Sequence, residues 1–326
     1  MPKFMFKLSC KTLTLFTPLT SPRHRDIYDI MKHPDILCIG SVLWDIIGRS
    51  PSHMRTGSDV PGRVTRQPGG VAMNIAMTLV NFGLTPAVLS AVGRDVEGDE
   101  LVQAAAGLGI NTNYLYRPDN LPTDAYMAIE GANGLIAAIA DAHSLEQAGT
   151  KILGALSDGT LGCNSAPWPG LIALDGNLTL NLLNNIAKAH LFAACDLRVA
   201  PASPGKVDRL TVFFDHPSAT LYVNLEEAGI LCQTTFEGAV DGAAALSKQG
   251  IHRVLVTDGG NLAAECSDGD ICIAHPPEVR VARITGAGDT FMAAHIASEV
   301  QGMTRKAALI CALNAAATYV SGETPS

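Results

Sequence analysis

A chain of 326 residues, 47% hydrophobic and 17% charged, has enough apolar material for a sizeable core in one large or two small domains. Its formal net charge of −8, with no basic stripe, argues against a nucleic-acid backbone as partner, though not against a nucleotide held locally by helix ends and a metal ion. No apolar run reaches the length of a membrane-spanning helix, so no membrane partner is expected. The eight cysteines are scattered singly, which fits thiols used as small apolar fillers in a reducing cytoplasm, and the nine dispersed histidines form no structural zinc pattern.

Residues 1–34 are basic early, rich in Ser, Thr and Phe, and carry no acid before Asp26. Lys7 and Lys11 interrupt the apolar core that a secretory signal needs, so these residues are expected to be an N-terminal extension with few contacts, and Met31 is a candidate start. A targeting segment is the alternative. Residues 35–40 predict a short buried strand ending in glycine. Asp45 follows among Leu43, Trp44, Ile46 and Ile47, either facing solvent on an alternating strand or aimed at a ligand. Residues 46–66, punctuated by Gly48, Pro51, Gly57, Pro61 and Gly62, predict an excursion of short strands out of the main body.

Gly69 and Gly70 then open a helix with apolar positions at Ala72, Ile75, Ala76, Leu79 and Val80, stopped at Gly83. Glycines there either admit a ligand close to the backbone or simply punctuate a strand-to-helix turn, and Asn74 falls in the first turn beside them. Further strands are predicted at 87–92, 114–117, 124–130 and 135–140, with a helix to about Leu108. The Gly131-Ala132-Asn133-Gly134 turn joins the last two as a hairpin, after which Asp141 begins a helical region. Strands follow at 171–174, 210–214, 220–223, 254–256, 263–266 and 271–274, with helices at 178–189 and 306–320. Such alternation predicts a single α/β domain over 35–326, its mostly parallel sheet covered on both faces and ligands bound at the carboxyl ends of the strands.

The densest chemical signal is Ile284-Thr285-Gly286-Ala287-Gly288-Asp289-Thr290-Phe291, a glycine-rich turn feeding an apolar helix. Such a turn aims backbone N–H groups and a helix dipole at one point and favours an anion there. Asp289 repels that anion, which makes sense if it takes a proton from a nucleophilic hydroxyl; otherwise it is an N-terminal cap. No Walker-type phosphate loop occurs.

The string at 284–291, and Gln67-Pro68-Gly69-Gly70-Val71-Ala72-Met73-Asn74-Ile75-Ala76 upstream of it, together resemble the ribokinase-like (PfkB) carbohydrate kinase family. The likeness runs over roughly residues 35–322. It implies a ribokinase-like three-layer α/β sandwich with a small β-sheet lid, its lid segments near 46–68 and 113–140. It implies an ATP-dependent kinase with Asp289 as general base and the N–H groups of Gly286, Ala287 and Gly288 as an anion hole for the transferred phosphoryl group. Asp45, Gly69, Gly70 and Asn74 would hold the substrate, joined by Asp141 from the lid. Asn224, Thr257, Gly259, Gly260 and Asn314 would contact ATP. Glu227, in the N-x-x-E element Asn224-Leu225-Glu226-Glu227, would help place Mg²⁺ through water.

The stretches 61–76 and 134–141 look most like pseudouridine kinases, although Met73 stands where those often carry a basic residue. The implied reaction is pseudouridine to pseudouridine 5'-phosphate; the alternatives are a free sugar such as ribose, fructose or 2-keto-3-deoxygluconate, another nucleoside, or a non-catalytic sugar- or nucleotide-binding regulator. Arg283 stands where the family commonly has an acid that supports a monovalent cation, which puts K⁺ activation in doubt. Family members often pair through the lid, so the resemblance allows a homodimer through the lid, while the sequence itself leaves the oligomeric state open.

Overall fold

The computed structural model describes residues 33–283 and 285–322. Most of the extension expected over 1–34, and Ile284 of the signature string, lie outside the described residues. In chain order the first half contains β1 (Ile36–Ile39), β2 (Leu43–Arg49), β3 (Arg63–Gly69), α1 (Val71–Asn81), β4 (Pro86–Leu89), α2 (Val96–Gly107), β5 (Ala125–Gly131), β6 (Gly134–Asp141) and α3 (His143–Ala148). The second half contains β7 (Leu171–Asp175), α4 (Leu180–Lys188), β8 (Asp196–Ala200), β9 (Ala219–Asn224), α5 (Leu225–Cys232) and α6 (Ala239–Lys248). It ends with β10 (Arg253–Thr257), β11 (Ala263–Ser267), β12 (Asp270–Ala274), α7 (Ala287–Val300) and α8 (Arg305–Ser321).

Uninterrupted apolar strands such as β1, buried along its whole length, can only sit inside a covered sheet. They form the centre of an eight-stranded sheet of order β12-β11-β10-β9-β8-β7-β1-β4, parallel from β4 to β10 and antiparallel at the β11 and β12 edge. On one face Leu37, Leu174, Leu197 and Val254 pack against α4 and α6 through Leu182, Ile186, Ala243 and Leu246. On the other, Cys38, Val88, Tyr222 and Leu255 pack against α1, α2, α7 and α8 through Ile75, Leu79, Leu101, Met292 and Leu309. The three-layer sandwich is the architecture the sequence predicts.

Two expected strands take other forms. Residues 210–214 fall in a 3-10 segment, Pro204–Phe213, and its buried Val207, Leu210 and Phe213 recur every third residue, the period of that helix. Residues 114–117 make only an isolated bridge, Tyr116 to Ala91. Conversely β8 was not predicted, because Asp196 and Arg198 break its apolar run.

A second sheet of order β3-β2-β5-β6 forms the lid, with β2 antiparallel to β3 and parallel to β5. The expected hairpin closes with Gly131 opposite Gly134. Residues directly opposite each other share a face, so Asp45, Gln67, Tyr126 and Ala140 lie on one side of the lid and Trp44, Pro68, Ala125 and Asp141 on the other. Val64, Met127, Ile129 and Ile139 belong to that second side and are exposed.

Candidate active site

The two glycine-opened helices foreseen from the sequence meet at their N-terminal ends. Gly286 precedes α7 with a left-handed φ of 90°, a conformation that glycine adopts without strain, and no side chain caps the helix. A Cβ at Gly286 would also lie 2.5 Å from Tyr319 Oη. First-turn N–H groups, here those of Ala287, Gly288 and Asp289, have no acceptor within their own helix, and the positive end of the dipole lies with them. A Cβ at Gly288 would meet nothing within 4 Å, so the backbone there is open to a ligand.

Asp289 in this turn is held from α1: Asn74 Nδ2 donates to Asp289 Oδ2 at 2.9 Å, across 215 residues of sequence. Asn74 is itself fixed by its N–H, which donates to the carbonyl of Gly70 at 2.8 Å. Burial pushes the Asp289 carboxyl up to about 7, and the charges of Asp175 and Asp45 add to the rise while the Asn74 bond opposes it. Asp45, on β2, is pushed up to about 6 by the same loss of water. Gly69 lies against it: a Cβ there would fall 2.1 Å from Asp45 Oδ2, so only glycine leaves that carboxylate its place.

Behind this group is a partly buried cluster that the sequence did not reveal. Asp175, at the carboxyl end of β7, accepts through Oδ2 from the backbone N–H of Ser41 at 2.8 Å and from the Ser41 hydroxyl. Asn177 Nδ2 donates to Ser41 Oγ at 3.2 Å, and Lys206 Nζ donates to Asn177 Oδ1 at 2.6 Å. The one available sequence signal was the position of Asp175 at a strand's carboxyl end.

The residues expected at the nucleotide lie along neighbouring strand ends, where Thr257 pairs in register with Asn224. Gly259 and Gly260 follow in an exposed turn with open space at both Cβ positions. Asn314 is exposed on α8. Asn224 and Glu227 bond each other: Asn224 Oδ1 accepts from the Glu227 N–H at 2.9 Å, and Glu227 Oε2 accepts from the Asn224 N–H at 2.8 Å. That is a capping box for α5. Glu227 is only 6% exposed, and burial pushes its carboxyl up to about 7. Among the described residues no group of three or more His, Cys, Asp or Glu side chains could hold a metal ion directly.

Asp141 stands apart from this assembly. It lies on the face of the lid opposite Asp45, and its Oδ1 sits 2.7 Å from Nδ1 of His143, which holds its carboxyl below the usual range. Met73 is fully buried in the core. Arg283 rests on α8, its guanidinium carbon 3.8 Å from the centroid of the Tyr319 ring. No helix of the described residues is long and apolar enough to cross a membrane.

A family model described as pfkB family carbohydrate kinase matches residues 33–325. The chain is 28% identical to a pseudouridine kinase of Escherichia coli, over 84% of this chain and 86% of that one. It is 26% identical to an uncharacterised sugar kinase of the same organism, over 90% of this chain and 81% of the relative. A carbohydrate kinase from Agrobacterium tumefaciens superposes with a TM-score of 0.72 at 26% identity, covering 87% of this chain and 90% of its own. An Arabidopsis thaliana ribokinase solved with ribose and ATP shares the fold at a TM-score of 0.67 and 21% identity, covering 88% of this chain and 92% of its own.

Proposed function

The chain belongs to the pfkB family of carbohydrate kinases, and from that premise we propose that it moves the γ-phosphoryl group of ATP to a primary hydroxyl, with pseudouridine as the leading acceptor and pseudouridine 5'-phosphate as product. The observation that carries the reading is Asp289: a carboxylate pushed up to about 7, tied through one oxygen to Asn74, at the uncapped N-terminus of a buried helix. Its other oxygen is left to accept the proton of the attacking hydroxyl. Residue by residue, Asp45 grips the acceptor's hydroxyls, Gly69 and Gly70 let it approach the backbone, and Asn74 fixes the base. The N–H groups of Gly286, Ala287 and Gly288 take up charge on the phosphoryl group as it transfers.

Asn224, Thr257, Gly259, Gly260 and Asn314 mark the nucleotide side. Glu227 would help hold Mg²⁺ only through water, since its carboxylate already closes the capping box, and the ion would supply positive charge to offset that of the phosphates. The exposed apolar side of the lid, with Val64, Met127 and Ile139, fits a homodimer through the lid. The solvent-facing position of Asp141 makes it the weakest member of the proposed substrate set.

The test is ATP consumption by the purified chain with Mg²⁺, across pseudouridine, uridine, adenosine, ribose, fructose and 2-keto-3-deoxygluconate, beside Asp289→Asn. Turnover highest with pseudouridine and lost in the variant is the expected result. A free sugar as the only acceptor overturns the substrate; full activity in Asp289→Asn overturns the base.

A further inference from the structure

The segment leading into the α7 turn is fastened to the last turn of α8 by its backbone and by one cation. The N–H groups of Ala282 and Arg283 both donate to the carbonyl of Val320, at 2.7 and 3.1 Å. Arg283 Nε donates to the carbonyl of Tyr319 at 2.7 Å. The guanidinium lies 3.8 Å from the Tyr319 ring centroid, a distance at which the ring face attracts a cation. Tyr319 Oη in turn donates to the carbonyl of Thr285 at 2.9 Å and leaves no room for a side chain at Gly286.

These contacts define an electrostatic position as well as a fastening. The last four carbonyls of a helix lack intrahelical donors and carry the negative end of its dipole, so the end of α8 favours a positive charge. A monovalent cation, as the family resemblance implies, would need oxygen ligands at this place. The residues present do not fit one: the side chain at 283 is a permanent cation, and it already donates to a carbonyl that such an ion would share.

We propose that Arg283 is a built-in cation which, with Tyr319, positions the Thr285–Gly288 turn and makes turnover independent of monovalent cations. The inference rests on the anion-hole role proposed for that turn. Neither side chain meets the reacting atoms in this scheme; the pair acts through the backbone of 285–288. A guanidinium fixed by a ring and a carbonyl does the work of a bound ion without an equilibrium of loading.

The experiment compares wild type, Arg283→Ala and Tyr319→Phe, with kcat and KM measured in K⁺, Na⁺ and tetramethylammonium chlorides at equal ionic strength. Wild-type kcat should be the same in all three salts. Arg283→Ala should lose about tenfold or more in kcat in tetramethylammonium, since a small misplacement of aimed groups is costly, and should regain activity on addition of K⁺ or guanidinium. A merely structural loss would show no such rescue. Tyr319→Phe keeps the fold and the guanidinium but frees Thr285, and should lower kcat equally in every salt. Wild-type activation by K⁺, or an Arg283→Ala enzyme as active as wild type without it, overturns the proposal. If wild type phosphorylates no acceptor, the proposed function fails separately. Thallous-ion NMR on the wild-type chain then decides the cation claim: unbroadened signal supports it and saturable broadening refutes it.

Discussion

Replacing Asp289 by Asn should abolish turnover and at the same time make the protein more stable. The carboxyl is held at about 7 in the fold against an ordinary 3.8, so the folded state keeps a proton that the unfolded chain releases. A raised carboxyl contributes stability that is complete below the unfolded value and is lost as pH climbs through the folded one, so the loss runs from about pH 4 to about pH 7. At 1.36 kcal/mol per unit the full shift corresponds to about 4 kcal/mol. Asp289 keeps some contact with water, and about half of that amount is the expected gain for the neutral isostere at pH 8. Asn preserves an oxygen for the Asn74 donor, so little else changes. Urea unfolding of both proteins near pH 4.5 and pH 8 measures the difference, which should open as pH rises. An Asn variant no more stable at pH 8 than wild type, or a gap identical at both pH values, refutes the claim that Asp289 is held against its own solvation.

Three further outcomes follow from the same geometry. The pH profile of kcat/KM should fall by roughly tenfold per unit on the acid side of about 7, since only ionised Asp289 accepts a proton; a flat profile down to about pH 5.5 contradicts the base assignment. Gly69→Ala puts a methyl group 2.1 Å from Asp45 Oδ2 and should raise the acceptor KM by about tenfold or more, with nucleotide binding by calorimetry unchanged. Glu299→Gln, at the far end of α7, should cost about 2–3 kcal/mol in urea unfolding, because it removes the carboxylate shared by the buried Arg198 and the half-buried Arg253 and leaves them only Asp196 and Glu265. Glu299 is held down at about 2, so the stability it gives is present above its ordinary range and is lost as pH falls toward 2.

What the sequence revealed and what it hid divide along a physical line. Features that act within one turn of chain were legible: the Gly286 to Gly288 turn, the Gly69-Gly70 opening of α1, and the Gly131 to Gly134 hairpin each need particular residue types at fixed short spacing. Long-range partnerships had no local mark, and the bond from Asn74 to Asp289 or the Ser41–Asp175–Asn177–Lys206 chain exists only once the sheet is assembled. Asn224-Leu225-Glu226-Glu227 had two meanings at one spacing, because a capping box and an N-x-x-E element are the same pattern. Asp141 depended on register: one position along β6 separates the face of Ala140 and Asp45 from the face of Asp141 and Trp44. Strand β8 was hidden by Arg198, a residue that reads as surface until its partners Asp196 and Glu299 are known.

Those partners bear on how a repelled carboxylate can be held still. The α7 turn gives Asp289 no side-chain cap, and its charge is unfavourable beside Asp45 and Asp175, so the helix must be positioned from elsewhere. Along its length α7 is buried from Thr290 to Ser298, which gives it no solvent side on which to shift. His295 meets the Tyr222 hydroxyl at 2.9 Å through Nδ1, and burial keeps that imidazole neutral, with its pKa down to about 4. One turn further, Glu299 bonds Arg198 of β8 and Arg253 of β10. Glu265 of β11 bonds Arg253 and Arg305, the first residue of α8. The far end of α7 is therefore tied to three strands and, through Glu265, to the start of the helix whose other end carries Tyr319. Packing and ion pairs remote from the chemistry hold the geometry that the local electrostatics of the turn oppose, as expected where strain is confined to the site and stability is supplied elsewhere.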